Sequence, residues 1–429
     1  MNGKRYQVAI VGSGAGGATL ARELSKKGKE VLVVEKGRKE EKTGTFQHCL
    51  RYYDCNPLTQ MPRKSKEGVI LWRTFMAGGS TVVSCANGVR SLERELADHG
   101  IALDQEFTEL EREMGIAPCD ERLLSEGSEM LRWAAKELGY RMVPMPKFVD
   151  SSKCNTCGQC VLGCVHDAKW TALKYLEDAV CGGAELLTET SVDGVLIESG
   201  KARGISCKGP HGHTEIAADV VVLAAGGLGT PVILQRSGIK EAGSGLFVDL
   251  LVNTYGKTEG LNQVHEPAMA LVDLDFHQEK GFILSPFVNH PRMVRFIEFG
   301  AKALSESNQK MMGVMTKITD DPIGRVYPDG SVSKPVTDTD WGRLREGSSI
   351  AKEILVKAGA DRRSLMVSAV QGAHPGGTAA IGKVVDRDLQ TGVDGLFVCD
   401  ASVLPTTPGL PPILTIAALA KRLGRTLAA

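Results

Sequence analysis

An α/β fold is expected for this chain, with a Rossmann-like domain gathered from separate segments and a second domain built on an antiparallel sheet. Three stretches carry that expectation. Near the N-terminus the apolar run Val8 to Val11 reads as a buried parallel strand, followed by Gly12-x-Gly14-x-x-Gly17 and a helical segment, Ala18 to Lys27. Far along the chain Asp219 to Ala225 (DVVVLAA) is a second buried strand, closed again by a glycine-rich turn and a helix through Val232 to Arg236. Between that strand and the C-terminal block, Leu246 to Asp340 alternates apolar and polar residues, the period of a half-buried antiparallel sheet.

Taken in order, the elements support this division. Gly12 permits a tight turn, Gly14 lets backbone come close to a pyrophosphate, and Gly17 lets the helix pack on the strand. The free N–H groups of the helix start, Ala15 among them, face the phosphates. A second strand, Glu30 to Val34, ends in Glu35, an acid placed to accept hydrogen bonds from an adenosine ribose. Together these features predict a dinucleotide site. Gly37 to Lys66 is polar and irregular. Gly78-Gly79-Ser80-Thr81 is a loop where backbone can approach a flat ligand with hydroxyls at hand, or else a plain turn. Ser91 to Gly115 and Glu121 to Leu138 are charged and helix-patterned, an expected outer cap over 91–150. After a cysteine run, a helix is expected over Lys169 to Val180. Strands follow at Glu185 to Glu189, Val192 to Glu198, Ala202 to Lys208 and Thr214 to Ala217, a small meander turning at Gly209 to Gly212. Ser349 to Gly359 reads as helix. The last stretch carries His374-Pro-Gly-Gly-Thr378, a strand from Gly395 to Cys399, Asp400, and a helix from Thr415 to Thr426. The nucleotide domain is thus expected from 1–40, 66–90, 185–240 and 370–429, with a cysteine loop and helix at 151–184 and a substrate domain at 241–369.

Composition narrows the class. At 429 residues the chain can hold two cores, and 42% hydrophobic with 24% charged residues is ordinary for a globular protein. Lys plus Arg and Asp plus Glu stand at 51 each, which argues against a nucleic-acid or anionic-membrane surface. The first strand begins too early for a signal peptide, and no apolar run reaches the ~18–20 residues of a membrane span. A soluble cytoplasmic protein is expected. Eleven cysteines, four of them between Cys154 and Cys164, fit reduced thiols with a metal-binding cluster better than a disulfide framework.

The segments GSGAGG, GGST, VVVLAAGGLGTPVIL, HPGGT and VCDASVLPTTPGLPPILTIAALAKRL occur in the order seen in glucose–methanol–choline (GMC) oxidoreductases, which the chain resembles. The C-terminal block from His374 to Leu423 is the most specific of them. The resemblance implies FAD as cofactor, with Gly12, Gly14, Ala15, Gly17 and Glu35 on its dinucleotide end. It places Gly78, Gly79, Ser80 and Thr81 beside the isoalloxazine, and Asp400 with the residues around Leu410 on the ribityl–flavin side. It implies a catalytic role for His374, whose imidazole can take a hydroxyl proton as hydride leaves for the flavin. The family's second catalytic position, usually His or Asn, falls on Pro411, which has no polar side chain. Asn289 and His290 are the candidate substitutes. The chain is also short for the family, mainly in the substrate region. No His or Cys lies in the Met76 to Thr81 loop, so the flavin is expected to be non-covalent.

Cys154-x2-Cys157-x2-Cys160-x3-Cys164 has ferredoxin-type spacing, with valine after the last cysteine where such runs usually carry proline. A [4Fe–4S] cluster is expected, with Cys164 or a distant cysteine (Cys49, Cys55, Cys85 or Cys181) as fourth ligand. A four-thiolate zinc or an unmetallated loop are the alternatives. Flavin and cluster together predict an FAD-dependent dehydrogenase or reductase acting on a CH–OH group of a small organic substrate. It would exchange electrons with a one-electron carrier, ferredoxin-like or other, rather than with O2. A C–C bond reductase or desaturase, or an electron-transfer subunit, are the rival readings.

Overall fold

The computed structural model describes residues 4–428 apart from 57, 262 and 300–309. Strand β1 (Arg5–Val11) is buried along most of its length, as its apolar run requires of a strand covered on both faces. Helix α1 (Ala15–Ser25) follows the glycine turn and leads to β2 (Val31–Val34). β3 (Ile70–Leu71) crosses away to the second sheet. Helices α2 (Asp104–Met114) and α3 (Glu126–Glu137) come next, then α4 (Ala172–Cys181). Four strands follow: β4 (Glu185–Leu187), β5 (Ser191–Glu198), β6 (Lys201–Gly209) and β7 (Gly212–Leu223). Helix α5 (Gly226–Arg236) returns the chain to β8 (Leu250–Lys257), β9 (Phe282–Pro286) and β10 (Met311–Ile318). Long helix α6 (Asp338–Lys357) precedes β11 (Met366–Val367) and β12 (Gln371–Gly372). β13 (Leu396–Val398) and α7 (Ile413–Ala428) close the chain.

The first sheet runs β4-β2-β1-β7-β6-β5, with β13 also on β7. β4, β2, β1, β7 and β13 are mutually parallel, and β5, β6 and β7 form antiparallel hairpins. The segments Thr214 to Ala217 and Asp219 to Ala225, expected as two strands, are one. β7 pairs antiparallel with β6 over residues 212–217 and parallel with β1 over 217–223. The change from alternating to continuous apolar residues marks where covering begins on both faces; no Gly or Pro interrupts the strand there. β4 joins the parallel sheet beside β2 and is not part of the meander.

The second sheet runs β9-β10-β8-β12-β3, with β11 on β8, and is antiparallel except for β12 with β3. Of the expected Leu246 to Asp340 region it takes three strands, β8, β9 and β10, the rest being loops, short helices and small separate sheets; 300–309 lie outside the described residues. α6 packs across its outer face and starts earlier than expected, because Thr337 and Asp340 form a capping box. The helices of the expected cap have no core of their own. Phe107, Leu110 and Met114 of α2 join the core under the first sheet, whereas Leu131, Ala134 and Ala135 of α3 join the core of the second. Their charged faces read as a cap, but each has an apolar stripe that needs a separate partner.

Candidate functional site

A cavity of about 630 Å³ lies between the two sheets and is lined by the first glycine turn, the Gly79–Thr81 loop, the start of α5 and the middle of β8 and β10. At its nucleotide end Gly12 has φ +103° and carries its C–H face against Ala224, where a Cβ would sit 2.3 Å from the carbonyl oxygen. Gly17 is equally closed, with a Cβ meeting the Gly12 oxygen at 2.0 Å. Gly14 differs: no protein atom lies within 4 Å of its would-be Cβ, so the first turn of α1 opens onto the cavity with its amides unspent. Glu35 ends β2 at the cavity wall. Its carboxylate accepts from Ser13 N (3.0 Å), Ser13 Oγ (2.6 Å) and Gly37 N (2.8 Å). Burial pushes its carboxyl up, opposed by those hydrogen bonds. An open helix start and a buried acid at the end of the next strand fit a dinucleotide's pyrophosphate and ribose.

The expected flavin-side residues divide. Gly79, Ser80 and Thr81 line the cavity, and the Gly78 amide donates to Ser13 Oγ at 3.1 Å, locking this loop to the glycine turn. The Thr81 hydroxyl is spent within the protein, donating to Gly78 O (2.6 Å) and accepting from Ala172 N (2.9 Å) at the start of α4. Asp400 lines the cavity, but both its oxygens are occupied by Gly226 N, Thr230 Oγ1, Ser402 N and Ser402 Oγ. It clamps the start of α5 to the turn after β13. Leu410 packs into an apolar cluster, while its neighbours Pro411, Pro412 and Ile413 form the wall.

His374 stands in the wall at the opposite end, its Nδ1 2.8 Å from Asp249 Oδ2. Asp249 is fully buried and also accepts from Thr407 Oγ1 and Gly409 N, both at 3.0 Å. Its carboxylate therefore holds the His374 Nδ1–H and leaves Nε2 free to accept a proton. Burial lowers the His374 imidazole below its ordinary value, aided by the Lys317 ammonium and opposed by Asp249. Lys317, on β10, reaches the same cavity with its Nζ 3.7 Å from Asp249 Oδ2. Neither Asp249 nor Lys317 was expected from sequence. The available signal was an isolated charge inside an apolar run, Phe247-Val-Asp-Leu-Leu251 and Met311 to Ile318. Pro411 lies on the wall, as the family position implies. Of its candidate substitutes, Asn289 lines the cavity, its amide donating to buried Glu298 at 3.0 Å. His290 instead caps a short helix and stacks on Phe46.

The cysteine loop touches the cavity through Val161. Cys154, Cys157, Cys160 and Cys164 are partly buried and unpaired, and Cys164 Sγ accepts from Ala168 N at 3.3 Å. Burial pushes the Cys154 and Cys157 thiols up. Among the described residues no three His, Cys, Asp or Glu side chains stand so as to hold a metal ion. The structure thus shows no tetrathiolate site among the described residues, although the spacing brings the four cysteines into one loop. Of the distant candidates, Cys85 shares an apolar cluster with Cys160, Cys49 lies in another, and Cys181 is exposed at the end of α4. Two fully buried lysines flank the loop. Lys169 Nζ donates to Ser84 O and Cys160 O, and Lys147 Nζ to Cys85 O, Asn87 Oδ1 and Ala268 O. No described helix is long and apolar enough to cross a membrane.

The N-terminal GMC oxidoreductase family model matches residues 9–250 and the C-terminal one matches 319–420. An uncharacterised protein of Methanocaldococcus jannaschii is 31% identical, covering 98% of this chain and 100% of that one. A long-chain-alcohol oxidase of Arabidopsis thaliana is 25% identical across 96% of this chain and 66% of its own length. Among solved structures, pyridoxine 4-oxidase from Mesorbium loti superimposes with a TM-score of 0.75 at 18% identity, over 98% of this chain and 99% of that one. A formate oxidase variant of Aspergillus oryzae reaches 0.75 at 18% identity, over 100% and 98%. These two likenesses concern the fold.

Proposed function

The chain belongs to the GMC oxidoreductase family, and from that premise we propose that it is an FAD-dependent oxidoreductase acting on a CH–OH group of a small organic molecule. The observation that carries the reading is the His374–Asp249 pair, which sets a free imidazole nitrogen in the wall of a cavity whose other end suits a dinucleotide. Residues 1–40, 66–90, 185–240 and 370–429 would hold FAD, and 241–369 the substrate. Gly12, Gly14, Ala15 and Gly17 would seat the pyrophosphate on the start of α1, and Glu35 the ribose. Gly78 to Ser80, and the backbone beside Asp400 and Leu410, would border the ring.

When bound, FAD supplies a two-electron hydride acceptor. The protein does the rest. Asp249 fixes the His374 tautomer, and the lowered basicity of the ring keeps it neutral near pH 7, the form that can take the hydroxyl proton. Leu251, Met269, Phe287 and Met315 exclude water from that end of the cavity. Addition of candidate alcohols to FAD-loaded protein without oxygen tests the reading. Bleaching of the flavin is expected, and a flavin indifferent to every alcohol while readily reduced by dithionite refutes it.

A second reading concerns the cysteine loop, where spacing supports a [4Fe–4S] site or a zinc. Lys147 and Lys169 favour an anionic centre, since among the described residues neither lies within ion-pair distance of a carboxylate. Thiols need converge only once they bind a metal, because deprotonation and closure are linked to binding. Iron, sulfide and zinc content of anaerobically purified protein decides it. An iron–sulfur centre would direct electrons to a one-electron carrier, whereas a metal-free loop leaves dioxygen as an acceptor, measured as oxygen consumption.

A further inference from the structure

Lys317 has no counterpart in the mechanism above. It is buried and lines the cavity, and its Nζ makes no hydrogen bond among the described residues. Its one carboxylate neighbour, Asp249, lies at 3.7 Å, an ion-pair separation too long for a hydrogen bond. Asp249 is already committed to His374, Thr407 and Gly409. Lys317 is thus one of the residues lining the cavity, its Nζ enclosed and without a hydrogen-bond acceptor among the described residues, beside a wall to which Leu251, Met315, Phe287 and Pro411 also contribute. A buried ammonium without a hydrogen-bond acceptor is costly unless something supplies oxygen acceptors.

The local charge has the same sign. Lys147 and Lys169, buried behind Cys85, spend their donors on neutral carbonyl and amide oxygens. Three buried ammonium groups act on Cys85 at the cavity wall, and only Lys317 has a carboxylate within ion-pair distance. Glu266 reaches Lys147 only at longer range.

We propose that Lys317 binds an acidic oxygen group carried by the substrate, so that the preferred substrates are hydroxy acids with a carboxylate next to the reacting carbinol. Lys317 Nζ and His374 Nδ1 both lie against Asp249 Oδ2, at 3.7 and 2.8 Å, which brings the ammonium and the imidazole together at one end of the cavity. The proposal rests on the reading of this cavity as a flavin-dependent alcohol site. The reaction would balance as for any alcohol: bound FAD would supply the acceptor for the carbinol hydride, His374 would take the hydroxyl proton, and a 2-oxo acid would remain.

The test has a binding arm and a redox arm, both on FAD-loaded protein. Calorimetry compares malonate, which has no hydroxyl to oxidise, with its neutral diamide. Malonate is expected to bind in preference to the diamide, and Lys317→Met to weaken malonate by roughly 10–100-fold, the worth of a charged hydrogen bond, while leaving the diamide unchanged. Wild-type protein that does not prefer malonate overturns the proposal whatever the folding of the variant. In the redox arm, 2-hydroxy acids of increasing chain length are compared with their amides for anaerobic flavin bleaching. Lys317→Met is expected to abolish the preference for acids, each acid losing more rate than its amide. An equal loss with amides would make Lys317 a general catalytic group and overturn its role as a carboxylate site. Malonate binding that depends on Lys317, without bleaching by any alcohol, would refute the oxidoreductase reading and leave the anion site standing.

Discussion

At the scale of single residues, the His374 end of the cavity depends on one carboxylate. Asp249 adopts φ 51°, a left-handed backbone that Asp tolerates better than most side chains, and this turns its carboxylate away from the strand and under His374. His374→Ala is expected to slow anaerobic flavin bleaching by roughly 10²–10⁴-fold, and an unchanged rate removes it as proton acceptor. Its lowered basicity has a definite sign in the pH profile. A base must be neutral to act, so activity is retained at pH 6.5 and lost only as pH falls through the lower value of the buried ring. A kcat/KM profile with its acid limb at or above 6.5 contradicts this. Asp249→Asn should move that limb further down, because the carboxylate's attraction for the imidazolium is lost, and should lower kcat by releasing the tautomer. His374 was legible as part of a sequence block; Asp249 was not, since nothing in a local pattern says which ring a buried acid will meet.

At the scale of elements, the glycine turn separates two roles that its sequence spacing cannot. Gly17→Ala should cost about 1–3 kcal/mol or more from the clash with the Gly12 carbonyl, which outweighs the ~0.5–1 kcal/mol that alanine gains in a helix. Thermal unfolding of the cofactor-free protein would fall by several degrees. Gly14→Ala has no protein neighbour to strike, so the cofactor-free melting temperature should hold while FAD affinity drops. Equal melting losses in the two variants would refute this division. A third closure, Gly16 against the Cys399 carbonyl at 1.9 Å from a would-be Cβ, ties α1 to the end of β13. It was illegible because its partner is almost the whole chain away.

At the scale of the whole molecule, one buried and one half-buried glutamate tie helices into the fold and give stability opposite pH slopes. Glu266 accepts from Ser125 and Ser128 at the start of α3, and burial pushes it up to about 7. Its contribution is full below the unfolded value of 4.5 and is lost as pH rises through about 7, a span of order 3 kcal/mol. Glu113 joins α1, α2, α4 and α7. Partial burial raises its carboxyl, but hydrogen bonds from Lys421, Arg22 and Tyr175 prevail and hold it at about 2. Its contribution is present above 4.5 and is lost as pH falls through about 2. Denaturant unfolding across pH should show Glu266→Gln flattening the slope above pH 4.5 and Glu113→Gln flattening the slope below it. Variants that lower stability evenly at every pH would contradict both assignments.

The family, the two-sheet plan and the nucleotide turn were legible in the sequence because each is local: a period of apolar residues, or glycines at fixed offsets, states its own covering. His374 and Glu35 were legible for the same reason, sitting at set distances from such signals. Only the tertiary structure decided that β7 serves two kinds of pairing and that the expected cap is shared between two cores. It alone decided that Asp400 is a saturated clamp, and that Asp249 and Lys317 meet His374. Those outcomes depend on side chains brought together from β8, β10 and the C-terminal block, whose partners are selected by long-range packing and the need to pair buried charge.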